Sequence, residues 1–325
     1  GRKVWHPGKQ IMRKTQKKEA EDFIGVLSRA HGAIKKAVRS DKNDMALDIL
    51  VQCQDGAIQL GDLIEKGEGE DCAIIRLLED YCEIIYQLHE VVRAGQTKGN
   101  GAKRLLENLN RLLLQIKHSV QELKAHTEAV FLPYMASMWD SLESVWKAAE
   151  EDPDCDAYVI PIPYYDKNPD GSFREVHYEA ELFPDYVPIT GYNDYNFADR
   201  RPEMIFIHNP YDDYNHVTSV HPFFYSKNLK QYTDKLVYIP YFILAEPDPE
   251  NEGWVEGIQH FCKVPGVFYA DKVVVQSEAM RQVYIKVLTR ETGEESRSIW
   301  EEKILGLGSP KMDKVMNTRK EDLKV

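Results

Sequence analysis

The sequence predicts an α + α/β protein: an N-terminal antiparallel helical bundle followed by a doubly wound, largely parallel sheet. Three observations predict it. Up to about residue 127 the apolar positions recur every three or four residues, the period of an amphipathic helix. After Glu128 that period gives way to short apolar runs with helical stretches between them, the alternation of an α/β unit. Two of the runs, Met204-Ile205-Phe206-Ile207 and Lys272-Val273-Val274-Val275, are apolar at consecutive positions, as a strand is when helices cover both faces of its sheet.

Residues 1–16 read as a basic leader containing Arg2, Lys3, Lys9, Arg13 and Lys14, followed closely by Lys17 and Lys18. A solvated leader and attraction to an anionic membrane surface both fit that charge. The bundle is expected over 17–126. Its stripes run through Phe23, Leu27, Ile34 and Val38; Ile49, Cys53, Leu60 and Ile64; Ile74, Tyr81, Leu88 and Val91; and Leu105, Leu109, Ile116 and Val120. Between them lie Ser40–Asp44, Gly67–Gly69 and Gly95–Gly101, which are turn and cap compositions. Short links between long amphipathic helices favour antiparallel neighbours. His31, His89 and His118 stand alone, so this half carries no catalytic pattern and reads as packing, self-association or partner contact.

The Rossmann-like sheet is expected over 128–315, with strands at Ala129–Leu132, Ala157–Ile162, Tyr186–Ile189, Met204–His208, Leu236–Ile239, Lys272–Val275 and Lys303–Leu307. Four strand-forming runs end in Pro-Tyr, at Tyr134, Tyr164, Tyr211 and Tyr241. Proline cannot donate to a sheet ladder and so marks a strand's end. In a parallel sheet the four tyrosines would gather on one edge, where open α/β sheets bind ligands. Tyrosine offers a ring to lie against a sugar or polyol and a hydroxyl to bond it.

Acidic and imidazole groups stand beside these tyrosines. His208, at the exit of a strand, is the leading candidate for a general base, with Asp212 or Asp213 to orient it or a substrate hydroxyl. His221, before Pro222, is a second candidate base. Asp212 and His216 have the i, i+4 spacing of two metal ligands but lack a third, so no metal site is expected. The chain has no Gly-x-Gly-x-x-Gly, Walker loop, Gly-x-Ser-x-Gly or His-Glu-x-x-His.

At 325 residues the chain can hold two cores. A net charge of −12 argues against nonspecific nucleic-acid binding, and no apolar run is long enough to cross a bilayer. Five scattered cysteines without metal-ligand spacing suit a reducing, cytoplasmic compartment.

Ala270–Glu278, followed by Lys303–Asp313 with Gly308, Pro310, Lys311 and Asp313, resembles the end of the first domain in glycosyltransferases of the two-Rossmann (GT-B) architecture. Together with Leu132–Ser144, it is most similar to the CDP-glycerol glycerophosphotransferase (teichoic acid polymerase) family. The resemblance implies an acceptor-binding half that receives glycerol phosphate, or a sugar, from a nucleotide-activated donor such as CDP-glycerol. The acceptor would be a polyol or lipid-linked polymer of the cell envelope, handled in the cytoplasm or at the inner membrane face. It further implies that 316–325 begins a truncated linker to a missing second domain that holds the donor, so that this chain alone would be inactive and would carry no cofactor. The family's Trp-His-Gly falls where this chain has Pro240-Tyr241-Phe242. A non-enzymatic alternative is an assembly or ligand-sensing protein that contacts partners through its bundle.

Overall fold

The computed structural model describes residues 11–319. They fall into two compact units that part between His126 and Thr127. The first is a bundle of α1 (Lys14–Arg39), α2 (Asn43–Glu68), α3 (Ala73–Arg93) and α4 (Asn100–Glu122). Each helix packs on the next, and α1 also packs on α4. Ile24, Ile34, Leu50, Leu60, Ile85, Leu88, Leu109 and Ile116 fill its interior. Lys14–Gln16, expected in the leader, belong to α1. The Lys17 ammonium donates to the carbonyls of Gln121 (2.7 Å) and Leu123 (2.8 Å), at the end of α4 where a cation is favoured. Residues 1–10, which include Arg2, Lys3 and Lys9, lie outside the described residues.

One polar network crosses this core. His31 is buried, with Nε2 2.7 Å from the Tyr81 hydroxyl and Nδ1 2.8 Å from Asn110 Oδ1. Burial lowers its pKa, partly offset by the Asn110 bond. Neutral and doubly bonded, it ties α1 to α3 and α4 at one register.

In the second unit the strands are β1 (Thr127–Leu132), β2 (Cys155–Val159), β3 (Tyr164–Lys167), β4 (Phe173–His177), β5 (Met204–Ile207), β6 (Thr218–Val220), β7 (Lys235–Tyr238), β8 (Lys272–Val274) and β9 (Ile304–Leu305). The helices are α5 (Glu143–Glu151), α6 (Phe197–Arg200), α7 (Ser226–Leu229), α8 (Glu252–Cys262), α9 (Pro265–Tyr269), α10 (Glu278–Thr292), α11 (Arg297–Lys303) and α12 (Pro310–Asn317). Six strands form one parallel sheet in the order β2-β1-β5-β7-β8-β9. Alternate residues divide between its faces as a doubly covered sheet requires. Val130, Ile205, Ile207 and Leu236 join Val255 of α8 and Val283 and Leu288 of α10 in one cluster. Ala129, Phe131, Phe206 and Val237 join Trp139, Leu142 and Trp146 in another.

The structure departs from the sequence expectation in three places. Tyr186–Ile189 is not a strand: Pro184 and Pro188 remove donors, the Val187 amide closes a turn onto Pro184, and only Ile189 bridges to Val159 of β2. Lys303–Leu307 shortens to β9, because Lys303 ends α11. A second sheet, antiparallel β4-β3-β6, is inserted between β2 and β7 in sequence. Its edge strand β4 is mostly exposed and so lacks the apolar alternation by which strands are read. At the far end, Met316 and Asn317, expected in the linker, complete α12, and 320–325 lie outside the described residues. Among the described residues no helix is long and apolar enough to cross a membrane.

Candidate functional site

Strand order reverses between β1 and β5, the point at which an open parallel sheet leaves a crevice beyond its carboxyl ends. The chain leaves β1 through Pro133-Tyr134, β5 through His208-Asn209-Pro210-Tyr211, and β7 through Ile239-Pro240-Tyr241. Pro163-Tyr164 enters β3 after β2. The aromatic rings meet there. Tyr134 stands edge-on to Tyr164 at 5.4 Å, to His208 at 5.3 Å and to Tyr241 at 6.3 Å between centroids. The hydroxyls of Tyr134 and Tyr211 both lie within interaction range of that of Tyr241.

Burial divides this group. Tyr134 and Tyr164 are buried, whereas Tyr211 and Tyr241 are partly exposed and form its rim. The Tyr164 hydroxyl donates to Glu179 Oε1 at 2.7 Å, and the other oxygen of Glu179 accepts the Ala136 amide at 2.8 Å. Desolvation, then neighbouring phenols, pushes Tyr134 and Tyr211 upward; desolvation and the Glu179 bond do the same to Tyr164. These phenols therefore stay protonated at neutral pH, fit to donate or accept a hydrogen bond from a ligand hydroxyl.

His208 is wholly buried, and both its nitrogens are occupied. Nε2 accepts the Tyr134 amide at 3.1 Å, and Nδ1 lies 2.8 Å from Ser141 Oγ, which itself donates to the Met138 carbonyl at 2.7 Å. Burial lowers its pKa to about 3. The expected general base presents no nitrogen to a substrate; it anchors the turn that carries Tyr134. The physical reason is that the turn after β1 leaves backbone groups inside the protein, and the ring satisfies them.

Asp212 is similarly committed. It sits at φ 48° and is buried. Its carboxylate accepts the Ser226 amide at 2.9 Å and the Ser226 hydroxyl at 2.6 Å, capping α7. Desolvation raises its pKa to about 6 despite those bonds. Asp213 is exposed, and its carbonyl accepts the Lys167 ammonium at 3.1 Å. His216 is also exposed, whereas Asp212, four residues before it, is buried. His221 is partly exposed, and its Nδ1 accepts the Phe223 amide at 3.2 Å. Among the described residues no protein group bonds its Nε2.

Two contacts underlie the edge. Gly266 opens α9 against the β5 exit: its amide donates to the Pro210 carbonyl at 2.8 Å, and a Cβ there would lie 2.7 Å from Pro210 Cα. Beyond β9, Gly308 takes φ 109°, Ser309 caps α12 and Pro310 fills its first turn. α12 then reaches the segment after β1. Lys311 pairs with Asp140 at 2.6 Å, Asp313 accepts the Ser144 hydroxyl at 2.7 Å, and Lys314 pairs with Glu143 at 3.0 Å. α12 is thus bound to the segment that follows β1.

Sequence reasoning missed Glu179, which has no strand or motif beside it, and a cluster on the β3–β4 hairpin. There Asp166, Glu175 and His177 bring ligand atoms within 4.8 Å of one another. Asp166 already bonds His177 at 3.1 Å and Arg174 at 3.0 Å, and these bonds hold its carboxyl below the usual range. A cation there would have to displace Arg174.

The described residues thus comprise a four-helix bundle and an α/β unit with a six-stranded parallel sheet. No protein-family model, curated protein or solved structure matches the chain.

Proposed function

We propose that the α/β unit is the acceptor-binding half of a glycerophosphotransferase or glycosyltransferase. It would present a polyol or sugar hydroxyl of a cell-envelope acceptor to a nucleotide-activated donor such as CDP-glycerol. The observation that carries this reading is the convergence of Tyr134, Tyr164, Tyr211 and Tyr241 beside the β1/β5 switch point. Half-exposed phenols without a neighbouring Lys or Arg in their ring contacts suit a neutral, hydroxyl-rich ligand better than an anion. The donor would belong to a second Rossmann domain of the GT-B arrangement, since this chain carries no glycine-rich phosphate loop.

The test uses the complete protein, incubated with CDP-glycerol or a nucleotide sugar and a glycerol-phosphate or polyol acceptor. Transfer is expected, and Tyr241→Phe is expected to weaken it by about tenfold through loss of one hydrogen bond to the acceptor. Full turnover in that variant, or absence of transfer with every donor class, would sink the reading.

A second reading is favoured by the commitment of both expected groups, His208 and Asp212, to hydrogen bonds inside the protein. In it the same edge binds its ligand without turnover, and the bundle relays or assembles. Saturable acceptor binding without transfer would select it.

A further inference from the structure

Beside the apolar cluster that holds Val130 and Ile205, a cleft of about 450 Å³ opens between the segment Tyr192–Ala198 and the turn that follows β6. That volume falls within the roughly 300–1,000 Å³ typical of small-molecule sites. Its walls are flat rings. Phe223 and Tyr232 stack at 5.5 Å with 27° between planes, and Phe224 meets Tyr192 edge-on at 6.3 Å. Phe223 is 37 % exposed, an apolar ring held open to solvent by its neighbours.

Polar groups share the lining. His221 spends Nδ1 as an acceptor from the Phe223 amide, so the neutral ring carries its proton on Nε2 and offers a donor. Asn193 adds an exposed amide and Tyr232 a hydroxyl. Among the described residues no protein group bonds either one. Among the described residues no Lys, Arg, Asp or Glu lines the cleft. A phosphate or carboxylate would therefore enter without a countercharge, and desolvating it there would be costly. A sugar ring meets none of these penalties: its C–H face lies on an aromatic plane while its hydroxyls find the imidazole, amide and phenol.

We propose that this cleft binds an uncharged sugar ring, a single pyranose or furanose unit. The site is separate from the strand-edge tyrosines, and the inference does not depend on transfer there.

The experiment titrates the complete protein with glucose, mannose and N-acetylglucosamine, with glycerol 3-phosphate as the charged control. Binding is followed by ligand-observed NMR and calorimetry. At least one neutral sugar is expected to bind saturably with Kd of about 1 mM. Tyr232→Ala and Phe223→Ala should each weaken it by about tenfold with circular dichroism unchanged, and His221→Ala by a few-fold. Tyr241→Phe, at the strand edge, should leave it unchanged. The proposal is overturned if no neutral sugar binds, if glycerol 3-phosphate binds more tightly than every sugar, or if Phe223→Ala and Tyr232→Ala bind as the parent does. Loss of sugar binding in Tyr241→Phe alone would place the sugar at the strand edge and also overturn it.

Discussion

A neutral histidine sealed beneath the sheet edge makes stability depend on pH in a definite direction. In the folded chain burial lowers the His208 pKa to about 3, whereas an unfolded histidine titrates near about 6.5. On acidification the unfolded chain takes up the proton first. The contribution of His208 is therefore complete above about pH 6.5 and is lost as the pH falls toward 3, by at most about 5 kcal/mol. Asp212 acts in the opposite sense. Desolvation raises its pKa to about 6, so its contribution is complete below the unfolded value and lost as the pH rises to about 6. Comparing chain and variant cancels it. Denaturant titrations between about pH 4 and 8 should show a shallower acid loss in His208→Gln than in the parent. Equal slopes would mean that His208 is not the neutral group described.

Elements meet at positions where only certain residues fit, and two substitutions read this out. Gly266→Ala would press a methyl group into the Pro210 backbone, which cannot swing aside as a side chain can. We expect a loss of about 1–3 kcal/mol and disturbed Tyr211 resonances. Gly257→Ala is the control: it lies exposed in α8 with no heavy atom within 4 Å of the added Cβ, and it should gain up to about 1 kcal/mol. A melt in which the two variants behave alike would remove the close approach from the account. Glu143 is the second probe. It is buried, and desolvation alone would raise its pKa, but hydrogen bonds from Lys147, Tyr186 and Lys314 outweigh that and hold it below the usual range. Glu143→Ala should cost about 1 kcal/mol and speed amide exchange in α12, because Lys314 loses its carboxylate partner and water takes its place.

The elements also show what could be read in advance. Amphipathic stripes such as Leu105–Leu109–Ile116–Val120 and double-faced runs such as Met204–Ile207 carry their burial in their composition, and both formed as expected. The gathering of Tyr134, Tyr211 and Tyr241 was likewise legible, because proline marks strand ends and parallel strands share an exit edge; Tyr164 instead opens antiparallel β3, against the expectation that it ends a strand of the parallel sheet. The antiparallel insert was not: Phe173–His177 pairs through its backbone while its side chains face solvent. The role of His208 was hidden for a similar reason. A strand-end histidine looks alike in sequence whether its nitrogens meet a substrate or the Tyr134 amide and Ser141, and only tertiary contact decides. Glu179 and Ser141 became visible only once the chain had folded back on β1.

For the whole molecule, the governing quantity is charge. With a net charge of −12 and an isoelectric point near 5.4, the chain repels polyanions. It should pass unretained over immobilised heparin at neutral pH and low salt; salt-sensitive retention would reveal a basic surface strong enough to override the total. Neutral ligands escape this field, which agrees with a phenol-lined edge and with a cleft free of charged lining residues.

The contact of α12 with Asp140, Glu143 and Ser144 also has a consequence for the order in which the unit is made. A ribosome releases β1 and the segment after it long before Lys311 and Lys314 exist. Until those residues emerge, the buried carboxylate of Glu143 lacks one of its cationic partners, and the turn bearing Trp139 and Asp140 waits open. α12 closes a cover begun beside β1, so the unit is completed only once residues 310–317 have emerged.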